Sequence, residues 1–245
     1  MLSAKVWIVC VQRPDEIFTS LNNKHSLKVN YLTLLEEDLS DIKCRSGYRK
    51  VRMSVGIKTD KFAPVTMEKQ RELKQKYGFA PEKPLVIHVG HCSSGRGLED
   101  FAEICDADRL IVASGMFENA DTVKTLQQAG VRIHKGYLEH VEEVYQMADA
   151  YLFPTPSAEY VISIPLSVME ALSCGVPVVG YIDFSNLQKI PAEEDAITLI
   201  TNKTELNDAI SRAAKRKKSH SLLREPKSWE EVADEVLVAV RRSER

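Results

Sequence analysis

A chain of 245 residues with 44% hydrophobic and 28% charged residues can bury a full core, and fits one large domain or one domain with part of another. Its formal net charge of −2 argues against an extended nucleic-acid surface, which needs a basic excess. Five cysteines (Cys10, Cys44, Cys92, Cys105, Cys174) without a CxxC pair suggest neither a disulfide framework nor a zinc knuckle, and no apolar run approaches a membrane span, so a reducing, cytoplasmic setting is expected.

In chain order, "KVWIVCV" and "RPDEIFTSL" read as a strand and a helix, and "KVNYLTLLEED" as another pair. "VRMSVGIKTDKFAPV" reads as a strand running into a turn-rich linker. These residues, 1–55, are too few for a second complete domain and form a short N-terminal segment. From Pro84 onward strand and helix alternate. "PLVIHVG", "RLIVASG", "VRIHKGY", "AYLFPTP" and "VPVVGY" read as strands, and "AITLI" as a sixth. "LEDFAEIC", "ENADTVKTLQQAG", "EHVEEVYQMAD" and "IPLSVMEALSCG" read as the helices between them. Continuous apolar strands joined by crossover helices predict an α/β fold, a doubly wound parallel sheet over residues 56–225. Two polar helices, about Lys203 to Leu223 and Trp229 to Arg242, close the chain, the second forming a C-terminal unit over 226–245. The basic run "AAKRKKSH" reads as a solvated helix end, with a weak attraction to an anionic membrane surface left open.

Ligands of open parallel sheets sit at the carboxyl ends of the strands, where three loops carry unusual chemistry. In "VGHCSSGRGLED", Gly90, Gly95 and Gly97 let backbone N–H groups approach a ligand, and Arg96 offers a fork suited to phosphate oxygens. The spacing is not the dinucleotide GxGxxG. Arg96 and Gly97 also replace the lysine and hydroxyl residue of a P-loop, so an ATPase reading is weak; alternatively the glycines only shape a tight turn. In "EYVISIPLSVMEALSCGVPVVGY", Pro165 suits the first turn of a helix and Ser163 its cap, making a helix N-terminus that attracts anions. Glu170, more than one turn inside, could accept paired hydroxyls such as those of a ribose; base rates favour a solvated or ion-paired glutamate. In "HKGYLEH", Gly136 and Tyr137 could hold a nucleobase. His88, His91 and Cys92 lack a fourth ligand for a metal, so no metal site is expected.

From about Val51 to Arg242 the chain resembles the carboxyl-terminal, donor-binding domain of group 1 (family 4) glycosyltransferases, whose fold is GT-B and whose domain is Rossmann-like. "VGIKTDKFAP", "VGHCSSGRGLEDF", "VRIHKGYLEHVEEVYQMADAYLFPTPS", "IPLSVMEALSCGVPVV" and "SWEEVADEVL" carry the resemblance in order and spacing. It implies a nucleotide-diphosphate sugar donor (a UDP- or GDP-sugar), hexosyl transfer with retention to a sugar or lipid acceptor, and no obligatory metal or other cofactor. Arg96 takes the place of the family's phosphate-binding lysine, and Glu170 that of the second glutamate of EX7E, which binds the ribose. Backbone groups of Ser163, Ile164, Pro165, Leu166 and Ser167 would meet the sugar and diphosphate. His91 stands where the family has an arginine. The first glutamate of EX7E falls on Ile162, leaving Glu159, three residues earlier, to act with Arg96 in catalysis. The resemblance also implies an acceptor domain outside these residues, in a longer chain or a separate subunit. A nucleotide-sugar epimerase or hydrolase, or a non-catalytic binding or assembly subunit, are the alternatives, and a peripheral contact at the inner face of a membrane is compatible with all of them.

Overall fold

The structure, a computed structural model, describes residues 6–157, 159, 161–216 and 218–241. The chain divides into two compact units: Met1–Gly56 with Val161–Ile164 and Lys227–Arg245, and Ile57–Tyr160 with Pro165–Pro226.

The first unit holds a parallel sheet of β1 (Val6–Cys10), β2 (Val29–Thr33) and β3 (Lys50–Arg52), in that order. Helix α1 (Glu16–His25) connects β1 to β2; Asp15 caps it through the Phe18 N–H, and Ser26 closes it at φ 49°. Alternation along the strands turns Ile8, Cys10, Val29 and Tyr31 to one face, where they pack with Phe18, Leu39 and Ile42. The Tyr31 hydroxyl donates to Asn22 Oδ1 at 2.5 Å, pairing two buried polar groups. Helix α7 (Trp229–Arg241) belongs to the same unit, and Trp229 lies so close to Gly56 that a Cβ there would come within 2.6 Å of its ring. "LLEED" is not a full helix but a 3-10 turn, Glu36–Leu39.

The second unit is built on β4 (Leu85–Cys92), β5 (Asp108–Glu118), β6 (Arg132–Lys135), β7 (Ala150–Phe153), β8 (Val178–Tyr181) and β9 (Ile197–Ile200). All six are parallel, ordered β6-β5-β4-β7-β8-β9. Helices α3 (Ala120–Gln128), α4 (Val141–Met147) and α5 (Leu166–Ser173) lie between them in the chain, and α6 (Leu206–Ala214) follows β9. The chain winds outward from β4 in one direction, returns, and winds outward from β7 in the other. This leaves a topological switch point between the carboxyl ends of β4 and β7. Leu85, Val86, Ile87, Leu152, Phe153, Val178 and Val179 are fully buried, as continuous apolar strands require of a sheet covered on both faces.

Several boundaries differ from the sequence reading. "LEDFAEIC" makes only a 3-10 segment, Leu98–Glu103, entered through Gly97 in the left-handed region. The helix predicted to run to Leu223 stops at Ala214. The "solvated" basic run is the clearest correction. Lys218 is half-buried, and its Nζ donates to the carbonyls of Tyr145 and Gln146, at 3.4 and 3.1 Å, and of Ala148, closing the end of α4. The linker after β3 contains an unanticipated helix, α2 (Met67–Lys76), capped by Thr66. Among the described residues no helix is long and apolar enough to cross a membrane.

Candidate functional site

The candidate site occupies the carboxyl ends of the second unit's strands. Strand β4 ends in an irregularity between Gly90 and Cys92, after which the chain turns through Gly95 and Gly97, at φ 83° and 69°. Glycine is required at 97 twice over: the backbone is left-handed, and a Cβ would lie 2.4 Å from the Pro154 carbonyl oxygen of the loop after β7. The two loops are thus in backbone contact.

Between these glycines sits Arg96, only 5% exposed. Its Nε has no hydrogen-bond partner among the described residues, and no carboxylate pairs with its guanidinium there. Burial lowers its pKa below the ordinary arginine value, opposed by Tyr151. His88, beneath it, is fully buried, with Nδ1 3.1 Å from the Leu152 carbonyl and Nε2 unpartnered. Burial, and secondarily the nearby Arg96 charge, push its pKa down to about 3, so the imidazole is neutral. His91 is half-buried and its Nδ1 lies 2.7 Å from Ser114 Oγ, joining the β4 loop to the end of β5; burial and then Arg96 lower its pKa as well.

After β7 the chain enters α5 through Pro165, which occupies the N-cap position without a side-chain cap. Val168 and Met169 donate to the Pro165 carbonyl at 3.2 Å, so the Leu166 and Ser167 N–H groups are the helix's uncapped first donors. The expected cap, Ser163, does not serve: it groups with the first unit, where its hydroxyl donates to Asp38 and its N–H to the Val11 carbonyl at 2.8 Å. Ile164 falls in the same unit and is buried.

Glu170 is half-buried on α5 and accepts from the Tyr145 hydroxyl at 2.7 Å. Burial raises its pKa, opposed by Tyr145 and by the Lys61 charge. Lys61 is in turn held by Glu142 at 3.0 Å. One turn before Glu170, the Ser167 hydroxyl lies 2.8 Å from Tyr151 Oη, which also reaches the Val89 carbonyl at 3.1 Å. Gly136, at φ 95°, has open space where a side chain would stand, and Tyr137 is 88% exposed beside it. Glu159 is exposed, its N–H donating to Ser157 Oγ at 3.2 Å.

The fold therefore brings Gly90, His91 and Arg96 together with Pro165, Leu166, Ser167 and Glu170, and leaves Ser163 and Ile164 in the other unit. Sequence reasoning missed Lys61, Tyr145 and Tyr151. Tyr145 reads as an ordinary core aromatic on an amphipathic helix, and its carboxylate partner is 25 residues away. No group of three or more His, Cys, Asp or Glu side chains able to hold a metal ion occurs among the described residues.

The parallel six-stranded sheet with its helices is a Rossmann-like α/β unit of the kind found in GT-B glycosyltransferases. The chain belongs to the group 1 glycosyl transferases, whose family profile matches residues 85–216, more than half of its length. It is similar to the sulfoquinovosyl transferase SQD2 of Arabidopsis thaliana, 24% identical over 164 residues. That stretch is 64% of this chain and 31% of the plant protein, so the chain spans about a third of that relative. Its fold is similar to that of Anabaena HepE crystallised with UDP-glucose (TM-score 0.75, 12% identity, 97% of this chain and 72% of HepE). It is also similar to a glycosyltransferase of Rickettsia africae (TM-score 0.64, 14% identity, 97% of this chain and 65% of the other).

Proposed function

We propose that the second unit binds a nucleotide-diphosphate sugar and serves as the donor half of a retaining hexosyltransferase. The observation that carries this reading is Arg96, a buried guanidinium with no counter-charge among the described residues, placed at the switch point of a parallel sheet. A buried cation is costly alone and is stabilised when a dianionic ligand supplies the missing charge. The diphosphate would lie against Arg96 and the glycine-rich backbone from Gly90, with the Leu166 and Ser167 N–H groups and the α5 dipole adding to the attraction. Glu170 would accept the ribose hydroxyls, and Gly136 and Tyr137 would flank the base. During transfer the sugar–phosphate bond breaks and negative charge builds on the departing diphosphate; a fixed guanidinium already in place stabilises it without reorganisation. Glu159 would face the transferred sugar, and a sugar or lipid would accept it.

Family membership supports transfer as the reaction class, and the UDP-glucose complex of HepE favours a uridine donor over a guanosine one. A cytoplasmic setting suits Cys10, Cys92 and Cys174, which are buried as free thiols. A second reading, a nucleotide-sugar-binding subunit or epimerase on the same scaffold, is favoured by Ile162, where the family's hexose-binding glutamate would stand. Calorimetric titration with UDP, GDP and ADP, then with UDP-sugars, tests the donor site: selective binding weakened by Arg96→Ala and Glu170→Ala is expected, and no binding to any of them would end the proposal. Product analysis with and without acceptor separates transfer from epimerisation and hydrolysis.

A further inference from the structure

Glu170 and Ser167 are three residues apart on α5 and so share one face of the helix. Each is held by a tyrosine from a different element: Tyr145 of α4 donates to the Glu170 carboxylate at 2.7 Å, and Tyr151 of β7 lies 2.8 Å from the Ser167 hydroxyl. Both tyrosines are fully buried, and their rings stack, with centroids 6.1 Å apart and planes inclined by 22°. Phe62 meets Tyr145 edge-on at 5.7 Å, and His88 lies 5.6 Å from Tyr151 on the other side. The stacked rings therefore link the residue 61–62 segment to His88, and their hydroxyls meet α5 at Glu170 and Ser167.

We propose that Tyr145 and Tyr151 are positioning residues of the donor site, a stacked pair that orients the Glu170 carboxylate and the Ser167 hydroxyl together toward the nucleotide. This rests on the donor reading given above. The geometry argues for it over simple core filling. A buried phenol needs only one acceptor, and Tyr151 already has the Val89 carbonyl; the second contact, to Ser167, fixes a group at the mouth of the site. Tyr145 uses its only proton on Glu170, so one carboxylate oxygen is engaged from behind and the other remains for the ligand. Tyr145 also acts on the charge state of Glu170. The groups that feel its charge are Lys61 from the segment before α2, Tyr145 from α4, Tyr151 from β7 and Cys174 at the end of its own helix. Of these, Tyr145 and Lys61 favour the carboxylate against burial, which disfavours it. The tyrosine proton stays in place, because burial and Glu170 raise the Tyr145 pKa well above its ordinary value.

The test is calorimetric titration of the unmodified chain, Tyr145→Phe, Tyr151→Phe, Glu170→Ala and Glu170→Gln, from pH 5 to pH 8, with whichever of UDP, GDP and ADP the unmodified chain binds. Tyr145→Phe is expected to weaken binding about tenfold at neutral pH, the size of a lost hydrogen bond to a charged group, and Tyr151→Phe about threefold. Tyr145→Phe should also shift upward the pH at which binding falls off, because Glu170 loses a donor that stabilises its ionised form. In Glu170→Gln, which cannot titrate, adding Tyr145→Phe should move no midpoint. A purely structural tyrosine would lower affinity equally at every pH. If Glu170→Ala weakens binding while Tyr145→Phe changes neither affinity nor midpoint, the positioning role is wrong and the donor site stands. If no diphosphate binds, or Glu170→Ala binds normally, the donor reading fails and the positioning role falls with it.

Discussion

The two ends of the second unit's sheet treat buried cations in opposite ways. At the amino ends of the strands, Lys74 is almost wholly buried and fully answered: its Nζ meets Asp149 at 2.6 Å and the Lys83 carbonyl at 2.8 Å. Asp149 spends its remaining capacity on the Leu85 N–H at 2.8 Å and on Gln70 at 2.9 Å, pinning α2 beneath β4 and β7. Lys218, half-buried, is answered by three carbonyls. At the carboxyl ends, Arg96 is buried with no such answer among the described residues, near a histidine whose Nε2 has no partner there either. The second unit thus satisfies the cations at the amino ends of its strands and leaves the buried guanidinium at the carboxyl ends without a carboxylate among the described residues. A buried charge satisfied by the chain is part of the fold; one left unsatisfied is a candidate place for a ligand.

The comparison makes predictions of decreasing size. Asp149→Ala strands Lys74, the Leu85 N–H and Gln70, and should cost about 3–5 kcal/mol of stability in urea unfolding, as broken buried pairs do. A cost below ~1 kcal/mol would mean that the amino-end cluster is not the lock described here. Arg96→Met should do the reverse: an unchanged or higher urea midpoint without ligand, with nucleoside-diphosphate affinity reduced about thirtyfold, or ~2 kcal/mol. Strong destabilisation by this change would show that Arg96 is answered within the fold after all.

His88 sharpens the same point through pH. Its folded pKa of about 3 lies below its ordinary 6.5, so between these values the unfolded chain binds the extra proton and stability falls as pH falls. The loss should be on the order of 2 kcal/mol by pH 4.5, partly offset by Glu170, whose raised pKa acts in the opposite sense. In His88→Phe the urea midpoint should depend less on pH between 7 and 4.5; an unchanged slope would remove His88 from the account. At Gly97→Ala the left-handed backbone and a Cβ 2.4 Å from the Pro154 carbonyl oxygen should together cost about 1–3 kcal/mol, read as a lower thermal midpoint.

What could be read from the sequence alone was local. Apolar runs such as "PLVIHVG" and "AYLFPTP", separated by helical segments, already determine a parallel α/β unit, because burial on both faces and crossover length are written in neighbouring residues. The residues of the candidate site could be picked out for the same reason: Arg96 between two glycines and Pro165 at a helix start are patterns a few residues long. Boundaries suffered where a short-range signal had a long-range competitor. "LEDFAEIC" has helical periodicity but tightens into a 3-10 segment, and "AAKRKKSH" looks solvated although Lys218 folds back onto the end of α4 some seventy residues away. Only the tertiary structure decided that β4 lies beside β7, which creates the switch point, and that Tyr145 backs Glu170. Residues 161–164 likewise join a unit other than that of their neighbours in sequence. Strand order and side-chain pairing across tens of residues are chosen by the packing of the whole core, and no local pattern encodes them.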